Sequence, residues 1–96
     1  MILHTFSASP ESSAFRDCLS SLSSEDAVLL LGDGAYAALP ACTYLTQLGD
    51  AGATVYALRA DALAAGMAEP GPGVKLIDMP EFVALTERYP RQIAWF

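Results

Sequence analysis

Two cysteines, one histidine and a Gly-Asp-Gly turn are the residues of this 96-residue chain whose chemistry could go beyond packing. Cys18 and Cys42 form no CxxC pair, and no His/Cys cluster has zinc spacing, so a structural metal is not expected. Reactive thiolates favour helix N-termini or basic neighbours. Cys18 falls mid-helix on an apolar face, beside Asp17 and with Arg16 as the nearest cation, which also suits a small buried hydrophobe. Cys42 follows Pro40-Ala41, at the start of a restarted helix whose dipole favours a thiolate. His4 is the only histidine, so imidazole acid–base chemistry must use it. Its place inside the first strand fits a packed or hydrogen-bonded core residue better.

Residues 28–36 read VLLLGDGAY. A strand running into a glycine turn and then an alanine-rich stretch is how a phosphate-cradling loop begins. This one lacks the third glycine of GxGxxG and the Lys-Ser/Thr of a P-loop, and Asp33 sets a negative charge where a phosphate would lie. Glycine also lets a chain turn tightly, because it accepts positive φ, so the stretch reads as a turn first. In an open parallel sheet ligands gather at the carboxyl ends of the strands. The sequence puts His4 to Ser7, Gly32-Asp33-Gly34, Arg59 to Asp61, and Asp78 there.

The elements that must position these groups alternate. Five apolar segments (2–6, 27–32, 53–58, 74–78 and 93–96) are separated by four stretches with helical features, the pattern of βαβ units. The uninterrupted run at 27–32 fits a strand covered on both faces. Ser9 and Pro10 are expected to cap and start the first helix, and Phe15, Cys18, Leu19 and Leu22 share one helical face. Pro40 should break the second helical stretch before 42–48. Asp78-Met-Pro-Glu81 is an acidic cap with a glutamate three residues on, and that helix ends at Tyr89-Pro90. AEPGPG (68–73) is a loop. The expected fold is a single α/β domain over residues 1–96, a three-layer α/β/α sandwich with an open, mostly parallel sheet of about five strands.

Composition narrows the function. The apolar fraction is 53%, above the soluble norm, which points to a well-filled core or a large partner interface. No apolar run approaches the ~20 residues of a membrane span, and the N-terminus lacks the charged start of a signal peptide, so a cytoplasmic chain whose thiols stay reduced is expected. Five basic residues against eleven acidic ones give a net charge of −6. With the basic residues scattered, the chain alone should not hold nucleic acid. Trp95 and Phe96 close the chain as an aromatic pair that covers a sheet edge or anchors a partner. An apolar-rich small chain isolated from its partners is also expected to self-associate.

Together, Leu3-His4-Thr5, Ser9-Pro10, LLLGDG (29–34), VYAL (55–58) with Asp61 and Gly66, LID (76–78), Phe82-Val83 with Leu85-Thr86, Pro90 and Ala94-Trp95 resemble the TusB/DsrH family of sulfur relay proteins, in order and over essentially the whole chain. The resemblance implies a DsrE-like fold and a heterohexamer with TusC-like and TusD-like subunits. That complex takes persulfide sulfur from a TusA-like donor and passes it to a TusE-like acceptor, toward 2-thiolation of the tRNA wobble uridine. The principal sulfur-accepting cysteine belongs to the TusD-like subunit. Cys18 matches a first-helix cysteine of the DsrH branch, found in sulfur-oxidising bacteria, which marks it as a candidate persulfide acceptor; Cys42 matches no family cysteine. Thiolate attack on a persulfide follows thiol–disulfide exchange and calls for no cofactor. Three readings follow: a supporting subunit of the relay complex, a persulfide carrier through Cys18, and a small-ligand-binding flavodoxin-like module using the Gly32-Asp33-Gly34 rim.

Overall fold

The computed structural model describes residues 1–40, 43–67 and 69–96. Five strands, β1 (Ile2–Phe6), β2 (Ala27–Leu30), β3 (Thr54–Leu58), β4 (Val74–Ile77) and β5 (Arg91–Trp95), lie in the order β4-β3-β2-β1-β5. Every pairing is parallel. The helices are α1 (Ser13–Ser21), α2 (Thr43–Asp50), α3 (Arg59–Ala64) and α4 (Met79–Arg88), with a 3-10 helix over Gly32–Ala38.

Strand order decides the layers. From β1 to β4 the chain steps in one direction, and right-handed crossovers place those connections on one face. The last connection returns past β1 to the opposite edge, so α4 must cross the other face. The two cores match this division. Phe6, Val28, Leu30, Val55 and Ala57 pack with Phe15 and Cys18 of α1 and with Leu45 and Leu48 of α2. Leu3, Leu29, Tyr56 and Ile77 pack with Leu85 of α4 and with Tyr89. Alternate residues of one strand thus serve opposite cores, and all four residues of β2 are buried, as the apolar run implies. Full burial of each such Leu or Phe contributes about 1.5–3 kcal/mol.

Three local expectations meet different fates. Asp78 and Glu81 form a reciprocal capping box: Asp78 Oδ1 accepts from the Glu81 N–H at 3.0 Å and Glu81 Oε1 from the Asp78 N–H at 3.1 Å. Ser9 does not cap α1, which begins at Ser13 with Ser12 as its N-cap. Ser9 closes a separate turn instead. Its carbonyl accepts from the Ser12 N–H at 3.0 Å and the Ser12 hydroxyl at 2.6 Å, while its own hydroxyl accepts from the Glu11 N–H at 3.2 Å. Local serine hydrogen bonds of this kind compete with the helix. The second helical stretch does break near Pro40, but its first half is a 3-10 helix. Gly34, Ala35, Ala37 and Ala38 are all buried there, and a three-residue turn eclipses residues three apart, so Gly34 stacks with Ala37 and Ala35 with Ala38. Cys42, expected at the start of the restarted helix, lies outside the described residues.

Candidate functional site

At the carboxyl end of β2 the chain turns at Gly32, whose φ of +54° is a left-handed conformation suited to glycine. The Gly32 N–H donates to Asp61 Oδ2 at 2.8 Å and the Gly34 N–H to the Leu31 carbonyl at 2.9 Å. Two of the amides that a phosphate loop would offer its ligand are therefore engaged, and Asp61 already supplies the anion. Gly34 serves a different purpose: a Cβ there would collide with the Phe6 carbonyl oxygen. The glycine is what lets the 3-10 helix lie against the end of β1.

Beside this turn the ends of β3 and β4 open a shallow apolar groove, lined by Leu58, Ala60, Leu63 and Met79 with Arg59, Asp61 and Asp78 at its edge. Leu63 and Met79 are 61% and 60% exposed. The structure thus brings Gly32, Asp33 and Asp61 together, and joins Asp61 to Arg59 and Asp78 around the groove. It leaves His4 and Cys18 out of the rim.

Cys18 is 1% exposed, in the core between α1 and the sheet. Burial pushes its thiol up to about 12, because a thiolate loses its hydration there. Phe15 and Cys18 are buried, and Leu19 and Leu22 pack against the same cluster, so the four share the face their spacing implies.

His4 is fully buried and joins a chain of hydrogen bonds. Trp95 Nε1 donates to His4 Nδ1 at 3.0 Å, and His4 Nε2 lies 3.0 Å from Asp26 Oδ2. An indole N–H can only donate, which assigns the acceptor role to Nδ1 and the proton to Nε2. The rings are 14° from parallel with centroids 6.2 Å apart, the spacing of two rings joined edge to edge by an in-plane bond rather than stacked. Asp26 is 3% exposed and also accepts from the Ile2 and Ser23 N–H groups at 2.9 and 3.2 Å. Burial alone would raise its carboxyl, but the hydrogen bonds from His4, Ile2 and Ser23 outweigh it and hold the group below the usual carboxylate range. The network ties the start of β2 and the middle of β1 to the end of β5, the last strand. Sequence reasoning missed Asp26; its one signal was an acid directly before the apolar run, whose strand pairs with that of the lone histidine. The terminal aromatic pair divides: Trp95 turns inward to His4, and Phe96 is 89% exposed.

A parallel α/β sandwich with a self-occupied glycine turn and a buried cysteine is the class of protein that emerges. A sequence profile described as "DsrH like protein" matches residues 8–92. The proteins called Protein TusB from Pectobacterium atrosepticum and Escherichia coli are 43% and 41% identical over 95 residues, covering 98% of this chain and 100% of each relative. The solution NMR structure of protein Tm0979 from Thermotoga maritima superposes with a TM-score of 0.67 at 28% identity, over 92% of this chain and 93% of that one. The chain belongs to the DsrH-like family.

Proposed function

We propose that this chain is a supporting subunit of a cytoplasmic sulfur relay complex that serves 2-thiolation of the tRNA wobble uridine. It assembles with TusC-like and TusD-like subunits, and sulfur enters from a TusA-like donor and leaves to a TusE-like acceptor. The observation that carries a supporting role, in a chain of this family, is the buried Cys18. A thiol 1% exposed and pushed up to about 12 offers a persulfide neither a thiolate nor a path. A carrier role for Cys18 requires α1 to lift from the sheet.

Intact-protein mass spectrometry after addition of a persulfide donor tests this, on the chain alone and with its TusC-like and TusD-like partners, with Cys18→Ser alongside. Gain of one sulfur by the TusD-like subunit only is the expected result. Gain by this chain, lost in Cys18→Ser, would make it a carrier.

A further inference from the structure

We infer that the groove between α3 and α4 is a docking surface for a partner protein that presents an apolar anchor ringed by lysine or arginine side chains. The inference deepens the subunit reading above and rests on it. The large apolar side chains left exposed include Leu63, Met79, Val83 and Tyr36. Leu63 and Met79 line the same groove. Val83 lies one helical turn beyond Met79, on the same side of α4, and Tyr36 stands beyond Asp61 and Ala64. Scattered exposed apolar residues need no explanation, but a contiguous set with a polar rim marks an interaction site.

Charge selects the occupant. Among the described residues the rim carries Asp33, Asp61 and Asp78 against one cation, Arg59. Arg59 itself reaches back to the Leu76 carbonyl at 3.4 Å. A two-fold pairing of this patch with its own copy would bring the two acidic rims together, and like charges disfavour that. A nucleic acid is repelled for the same reason. A basic rim around an apolar anchor complements both features, with the apolar centre supplying affinity and the charges supplying orientation and encounter rate.

The test uses TusC-like and TusD-like chains from the same organism, co-purified with this one and followed by native mass spectrometry and sedimentation. Leu63→Ser combined with Met79→Ser changes only exposed side chains, and Asp33→Lys reverses one rim charge. Glu25→Gln, exposed in the turn before β2 at the opposite end of the sheet, is the control, and thermal melts confirm folding. The expected result is at least tenfold weaker assembly for the double variant, weaker and less salt-sensitive assembly for Asp33→Lys, and none of this for Glu25→Gln. If the wild type assembles and the double variant matches it, the groove is not the docking surface. If the wild type alone dimerises and the double variant does not, the occupant is a second copy and the inference is overturned. If the wild type fails to assemble with these chains at all, the subunit reading falls, and this surface with it.

Discussion

Alkylation of Cys18 measures directly whether this chain can carry sulfur. The perturbation is a neutral reagent such as iodoacetamide, applied to a Cys42→Ser background so that Cys18 alone reports. Two physical routes to reaction set the rate. In the folded state the thiol rises from its ordinary 9.0 to about 12. Well below both values the thiolate fraction falls tenfold per unit, so about a thousandfold less thiolate is present than in the unfolded chain. The other route is global opening, with a population set by a folding free energy of about 5–15 kcal/mol, which is a factor of roughly 10³ or more. Either way, native Cys18 at pH 7.5 should react at least ~10³-fold more slowly than the same thiol in denaturant. The assay is a time course by mass spectrometry, native against unfolded. A native rate within tenfold of the unfolded rate would refute the buried-thiol argument and put the carrier reading first.

Three further outcomes follow from the same geometry. Trp95→Phe keeps an aromatic side chain but removes the indole donor, leaving His4 Nδ1 buried without its partner; chemical denaturation should show a loss of about 1–3 kcal/mol. Because the Asp26 carboxyl is held below its unfolded value, its contribution is fully present above the unfolded pKa of about 3.9 and is lost as pH falls through the lower folded value. Denaturation midpoints should therefore hold from neutral pH to about pH 5 and drop below about pH 4, and Asp26→Asn should flatten that acid limb. Gly34→Ala forces a Cβ against the Phe6 carbonyl oxygen, and the shift of backbone it demands should cost about 1–3 kcal/mol by the same measurement.

What the sequence determined by itself is the set of elements and their class. Apolar runs alternating with helix-length connections specify βαβ units, and the β1 segment and the Asp78–Glu81 box stand where the residue types put them, because strand period and capping are local. Helix α1 began later than Ser9-Pro10 suggests, since two serine hydroxyls had a competing local partner in the Ser9 turn. The alanine stretch after Gly34 could not announce itself as a 3-10 helix, because that follows from how closely the sheet, α2 and α3 press upon it. Tertiary structure alone decided the site. Nothing local links His4, Asp26 and Trp95, or Gly32 with Asp61, since the residues that complete each set arrive on different strands and helices. Desolvation likewise depends on what surrounds a group rather than on its neighbours in the chain. That is why the apolar helical face could mark Cys18 as a small buried hydrophobe, while how far its thiol is desolvated was decided only once α1 lay on the sheet.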